Sequence, residues 1–278
     1  MTDVYCLSGK GLRQQRILHQ PSGTTFLVPL DHSLADGPLS SAAGFASLIA
    51  SLAVNDVDGI IVHKGRVRFL PTEALGRMAL IVHLNGSTRH APDTDAKTLV
   101  SSVAEAVALG ADGVSVHINL GSDTEAAQLS DLGLVAEQCA RWGVPLLAMV
   151  YPRGPRITDS ADPTLLAHAA NVAADLGADI VKLPFTGSPE TMRGVVAASP
   201  IPVVTAGGGV LGNADAFVRH IGSAMESGVL GVAAGRNIFR AADPGRMARS
   251  VARRVHAGLG SPQSLTSLDL TLSAATAS

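Results

Sequence analysis

Apolar residues come along this chain in short dense runs, each followed by polar residues and then by a helical pattern. The runs are TFLVPL (25–30), VDGIIVH (57–63), MALIVHL (78–84), DGVSVHI (112–118), VPLLAMV (144–150), ADIVKL (178–183), IPVVTA (201–206) and VLGVAAG (229–235). They are nearly continuous rather than alternating, as strands of a parallel sheet covered by helices must be. Between two of them, TDAKTLVSSVAEAVALGAD places Leu99, Val103, Ala106, Val107 and Leu109 at helical spacing, with Gly110 as the stop. The phrase LGAD returns at 176–179, so helix, glycine stop and next strand form a repeating unit. Eight such units predict an α/β protein, a (β/α)8 TIM barrel with right-handed crossovers. An open doubly wound sheet is the rival, but a dinucleotide fingerprint would support it where this chain has DHSLADGP. The barrel is expected over 25–260. Residues 1–24 would cap its bottom or contact a neighbour, and the polar 261–278 would form a tail mobile at its end.

Composition narrows the partners. At 278 residues and 46% hydrophobic, the chain can fill the core of one barrel domain. The net charge of -2, without a dense basic patch, argues against nucleic acid and leaves small anions open. Cys6 and Cys139 lack metal-motif spacing, which fits a reducing compartment. No basic start leads into a long apolar run, and no apolar stretch reaches the roughly 20 residues of a membrane helix. A soluble, cytoplasmic protein with no membrane partner is expected.

In a barrel, chemistry belongs where strands end and loops begin. The strand ends deliver Asp31 with His32, His63 with Lys64, His83 with Asn85, His117 with Asn119, and Tyr151 with Arg153. Lys182, AGGG (206–209) and GRN (235–237) follow. Each has a plain structural reading: the histidines as satisfied polar residues of a crowded mouth, Asp31 as an acceptor for loop amides, Tyr151 as a core aromatic. Zinc would suit imidazoles, but the histidines lie on separate strands and a neighbouring lysine would be repelled. No metal and no cofactor is expected.

The chain has four lysines, Lys10, Lys64, Lys97 and Lys182, against seventeen arginines. A lysine at the end of a core strand is therefore conspicuous, because an amine forms an imine and a guanidinium does not. Lys64, in HKG, competes for that role; alternatively it pairs with a carboxylate and holds charge near Lys182. TAGGGV and AAGRNIF end strands seven and eight, whose loops often build a phosphate cup in barrels. Gly207, Gly208 and Gly235 would let backbone amides approach an anion, and Arg236 would add a fork of donors. These parts describe imine catalysis on a phosphorylated carbonyl compound. Lys182 would attack the ketone, Tyr151 would move the proton, and Asp31 would orient or exchange protons with substrate hydroxyls. The enamine would then attack an aldehyde.

VPLDHSLADGP, IIVHKG, MALIVHLNGST, AMVYPRGP, ADIVKLPFTG, VVTAGGG and GVAAGRNIF together resemble the archaeal-type class I fructose-bisphosphate aldolases, the DeoC–FbaB aldolase family, from about residue 25 to 245. The resemblance implies that Lys182 is the Schiff-base residue, Tyr151 its acid/base partner and Asp31 the active-site carboxylate. It also implies phosphate binding at 207–208 and 235–236, and a homo-oligomer, a decamer by family analogy. IVHLNGST and AMVYPRGPRITD resemble a branch that joins dihydroxyacetone phosphate to L-aspartate 4-semialdehyde, toward 3-amino-4-hydroxybenzoate in secondary metabolism. An amino-acid aldehyde needs a carboxylate anchor, for which Arg153 and Arg156 are the candidates, with His32, Lys64 and His117 as accessories. Fructose-bisphosphate cleavage and 2-amino-3,7-dideoxy-D-threo-hept-6-ulosonate synthesis are the alternatives. A thiolase-like member or a non-catalytic phosphosugar-binding barrel ranks below them.

Overall fold

A computed structural model describes residues 9–19 and 21–257; Cys6 and the expected tail over 261–278 lie outside them. Eight parallel strands close into a barrel. They are β1 (Thr25–Pro29), β2 (Gly59–His63), β3 (Ala79–His83), β4 (Gly113–Leu120), β5 (Leu146–Pro152), β6 (Ile180–Leu183), β7 (Val203–Ala206) and β8 (Gly231–Ala233). Each pairs with its neighbours in sequence, and β8 returns to β1 through Thr25↔Gly231 and Leu27↔Ala233. Closure excludes the open doubly wound sheet. β4 and β5 run past the expected ends because His117–Leu120 and Met149–Pro152 pair residue for residue. That extension puts Asn119 and Tyr151 inside strands rather than in loops.

Side chains alternate across each strand, and the two faces fill two cores. Phe26, Val28, Ile60, Val62, Val114 and Val181 belong to the large layer between barrel and helices. Leu27, Ile61, Ile81, Leu147, Met149, Ile180 and Val204 fill the barrel's own interior. Ile17, at the end of helix Gly9–Ile17, joins that interior cluster from the N-terminal end. The same helix is tied down by Lys10 to Asp179 at 2.8 Å and Arg16 to Asp112 at 2.6 Å.

The repeated LGAD phrase marks what it was expected to mark: Gly110 and Gly177 take left-handed φ values of 85° and 89° just before a strand. The helix before Gly110 is shorter than its apolar spacing predicts, covering only Val103–Ala108. Ser102 caps it by accepting from the Glu105 amide at 3.1 Å, so the helix cannot extend upstream. Leu99 instead sits in a two-residue ribbon, Thr98–Leu99 against Asn85–Gly86. Among the described residues no helix is long and apolar enough to cross a membrane.

Candidate active site

Strand parity builds the site. Positions two residues on from the interior core residues of β2, β3, β5 and β6 also point inward. These are His63, His83, Tyr151 and Lys182, and β4 adds Ser115, His117 and Asn119 by the same alternation. His63, His83, His117, Tyr151 and Lys182 line a cavity of about 720 Å³ at the C-terminal ends of the strands, with Ser115 and Asn119 buried behind them. Asp31 and His32, just beyond β1, enter it as well.

Lys182 forms part of the cavity wall and is only 6% exposed. Its Nζ lies 3.9 Å from Met149 Sδ and 5.9 Å from the centre of the Tyr151 ring. A thioether is a weak acceptor, so the amine is buried without being consumed by a structural bond. The Tyr151 ring lies between two further groups, with the His117 ring centre at 4.9 Å and the Arg153 guanidinium carbon at 4.8 Å. His117 Nε2 donates to Asn119 Oδ1 at 2.8 Å. Its backbone is clamped by Asn85, whose Oδ1 accepts from His117 N and whose Nδ2 donates to His117 O, both at 2.8 Å. Burial pushes the His117 imidazolium well below the usual range, so the ring is neutral at pH 7.

Asp31 is the anion of the site. Burial pushes its carboxyl up, but His83, His32, Lys182 and His63 outweigh that and hold it at about 2. His83 Nε2 stands 3.9 Å and His32 Nδ1 3.6 Å from its oxygens. His83 is itself braced by Ser115, whose Oγ lies 2.8 Å from Nδ1, and burial pushes it down to about 4. Asp31 Oδ1, His32 Nδ1 and His63 Nδ1 are buried without a hydrogen-bond partner. Buried polar atoms normally have partners, so these three are unused hydrogen-bonding capacity within the cavity wall.

The glycine loops lie next to this group, on the strands that close the barrel against β1. Gly207, Gly208, Gly209, Gly235 and Arg236 all line the cavity. A side chain at Gly207 would stand 2.6 Å from Ala234 Cβ, and one at Gly235 would stand 2.5 Å from Pro29 O, so both positions require glycine. Asn237, whose role the sequence did not disclose, locks the two loops together. Its Nδ2 donates to Gly209 O at 2.8 Å and Gly207 O at 3.2 Å, and its Oδ1 accepts from Leu211 N at 2.9 Å. Arg236 donates to Gly208 O at 3.4 Å.

Two expected residues stay outside the cavity. Lys64 opens the short helix Lys64–Val67 and pairs with Glu105 at 2.9 Å on the surface. Its predicted carboxylate partner exists, but the pair stands apart from Lys182 and leaves Lys64 no access to substrate. Arg156 is exposed, whereas Arg153 lines the cavity. Lys97, absent from the strand-end inventory, lines it too. Burial pushes its ammonium down, with Arg153 acting in the same direction and Asp95 opposing.

A closed barrel whose cavity holds a buried lysine, a tyrosine and two glycine loops has the layout of an imine-forming aldolase. The chain belongs to the DeoC/LacD family of aldolases, whose pattern matches residues 25–241. It is 51% identical over 247 residues to the 2-amino-4,5-dihydroxy-6-oxo-7-(phosphonooxy)heptanoate synthase of Streptomyces griseus, covering 89% of this chain and 90% of the relative. It is 40% identical over 258 residues to the 2-amino-3,7-dideoxy-D-threo-hept-6-ulosonate synthase 1 of Archaeoglobus fulgidus, covering 92% and 94%. An archaeal fructose 1,6-bisphosphate aldolase superposes with a TM-score of 0.81 at 30% identity, covering 89% of this chain and 99% of that one.

Proposed function

We propose that this chain is a class I aldolase joining dihydroxyacetone phosphate to L-aspartate 4-semialdehyde. The product is 2-amino-4,5-dihydroxy-6-oxo-7-(phosphonooxy)heptanoate, as in the name of the Streptomyces griseus relative. The observation that supports this reading most is the position of Lys182, buried between a glycine-built cup carrying Arg236 and a cationic end carrying Arg153. The product has the matching layout, with a phosphate at one terminus, an amino-acid carboxylate at the other and the ketone toward the phosphate.

In this reading the phosphate rests on Gly207, Gly208, Gly235 and Arg236, which sets the donor ketone against Lys182. The Lys182 amine adds to the ketone, and the carbinolamine expels water to leave an iminium. A proton leaves the neighbouring hydroxymethyl carbon, its electron pair passing into the iminium to give an enamine. That carbon attacks the aldehyde, whose oxygen takes up a proton, and water releases the product ketone from lysine. Tyr151 is the acid/base at the nitrogen-bearing carbon, and His117 holds its ring. Asp31, ionised at neutral pH and lining the cavity, accepts from substrate hydroxyls.

The test is product mass spectrometry with dihydroxyacetone phosphate and two competing acceptors, L-aspartate 4-semialdehyde and glyceraldehyde 3-phosphate, in the presence of EDTA. An amino-heptulosonate phosphate that persists in EDTA and vanishes in Lys182→Ala is expected. Hexose bisphosphate alone would move the assignment to fructose-bisphosphate aldolase, and condensation with neither acceptor would sink both.

A further inference from the structure

The strand ends account for the donor side of the cavity, while the acceptor side depends on the segment between β3 and β4. This segment is fixed rather than draped. Its base is the Asn85–Gly86 ribbon, and its far end is held at the Asp95 carbonyl, which accepts from Asn119 Nδ2 at 2.8 Å and Gln128 Nε2 at 2.9 Å. Asn119 and Gln128 are fully buried, so Asp95 is pinned to β4 and to the helix that follows it. Lys97 Nζ donates to Ser87 Oγ at 2.6 Å and to Thr94 O, which uses two of about three ammonium donors and leaves one. Lys97, Asp95 and Arg153 line the same cavity, with the Arg153 guanidinium carbon 4.8 Å from the centre of the Tyr151 ring.

Two cations beside one carboxylate are the complement of an α-amino-carboxylate: the cations match its carboxylate, and the acid matches its ammonium. An uncharged aldehyde would leave the excess positive charge of Lys97 and Arg153 over Asp95 without a counter-ion, which disfavours it. We infer that Lys97 and Arg153 grip the carboxylate of an amino-acid aldehyde and Asp95 takes its ammonium, so the β3–β4 segment selects the acceptor. This rests on the aldolase reading given above.

Four acceptors test it with dihydroxyacetone phosphate as donor. They are L-aspartate 4-semialdehyde, succinate semialdehyde (no amine), 3-aminopropanal (no carboxylate) and propanal (neither). Lys97→Met lowers kcat/KM for both carboxylate-bearing acceptors by about 10- to 100-fold, mostly through KM, and changes propanal by less than about 3-fold. Lys97→Arg restores most of the loss, and Asp95→Asn penalises L-aspartate 4-semialdehyde while sparing succinate semialdehyde. Equal losses on all four acceptors in Lys97→Met would mean that Lys97 only props the loop, and equal losses in Asp95→Asn would remove the ammonium assignment. The wild-type ranking needs no variant: if it turns over 3-aminopropanal as well as L-aspartate 4-semialdehyde, the subsite does not exist. Borohydride trapping of wild type with the donor alone separates the two readings. No adduct would overturn the aldolase assignment and this inference with it, whereas an adduct with no acceptor discrimination overturns this inference alone.

Discussion

Aspartates occupy both ends of this barrel, and they are treated in opposite ways. At the N-terminal end, Asp58, Asp112 and Asp179 precede β2, β4 and β6. They accept the amides of Phe26, Leu80 and Leu146 in the preceding strands at 2.6, 2.9 and 2.8 Å. Asp112 and Asp179 also face cations, Arg16 at 2.6 Å and Lys10 at 2.8 Å. Asp58, whose carboxyl burial pushes up to about 8, instead stands 3.5 Å from a His256 imidazole that burial holds toward its neutral form. At the C-terminal end Asp31 keeps an oxygen with no partner, beside two histidine nitrogens in the same condition. One end spends its hydrogen-bonding capacity on closing the sheet and the other withholds it. That is the physical difference expected between residues that hold a barrel and one proposed to work in it.

The sharpest way to break the comparison is to exchange the expected consequences. Lys182→Ala is expected to abolish borohydride-trappable adduct and to lower turnover by more than about 10⁴-fold, with no loss in the urea midpoint. Tyr151→Phe comes next, with kcat reduced about 10²-fold or more and the fold intact, because only the hydroxyl is removed. If either substitution unfolds the protein while leaving specific activity per folded molecule unchanged, the C-terminal end is structural and the contrast fails. At the other end, Asp112→Ala leaves the buried Leu80 amide without its acceptor and releases Arg16, which is half-exposed, to solvent. It should cost about 2–3 kcal/mol in chemical denaturation while leaving kcat within about 2-fold.

The two ends were also unequally legible. The eight strands could be read because apolar runs and LGAD phrases survive any detail of loop geometry. Lys182, Tyr151 and His117 could be read because strand parity fixes which side chains face inward. The glycine loops could be read because their order in the chain matches their order around the barrel. Lys97 could not: it lies past the strand end, in a stretch whose apolar spacing suggested helix, and only the grip of Asn119 and Gln128 on Asp95 returns it to the cavity. Asn237 stood in view within GRN, yet its bonds to carbonyls 28 and 30 residues away exist only once β7 and β8 are neighbours.

Acid separates the ends by a smaller amount. Burial pushes His83 down to about 4, and His32, His63 and His117 are lowered for the same reason. Unfolded histidines take up protons near 6.5, and these folded ones do not until lower pH. The unfolded chain therefore binds more protons as pH falls from 6.5 toward 4, and stability declines across that window. Each such histidine contributes up to about 1.4 kcal/mol per pH unit. The Asp31 contribution has the opposite origin: its folded value is depressed, so its stabilisation is complete above 3.8 and is lost only as pH falls through about 2. Burial pushes the Asp58 carboxyl up to about 8, so its protonated form gains stability over the same range and offsets part of this decline. Urea midpoints between pH 7.5 and 4.5 should still fall, because four histidines oppose one carboxyl, and His83→Gln should flatten the slope. An unchanged slope would mean that burial does not lower His83 and that it titrates alike in the folded and unfolded chain.

The smallest effect discriminates between two lysines of the same chain. Lys64 follows the inward-facing His63 directly, which by sequence alone made it a rival for imine chemistry. It falls outside the cavity because the chain turns into the helix Lys64–Val67 at that point, and its amine meets Glu105 at 2.9 Å on the surface. Both partners are substantially exposed, at 40% and 44%, and exposed pairs of this kind contribute little to stability. Lys64→Ala is therefore expected to leave kcat, the acceptor KM and the urea midpoint at wild-type values, and to keep the borohydride adduct. Peptide mapping of that adduct should locate the modification on Lys182 in both proteins. Modification at Lys64, or loss of the adduct in Lys64→Ala, would reverse the assignment, because a lysine held by a surface carboxylate would then be doing what the buried, unpaired one is placed to do.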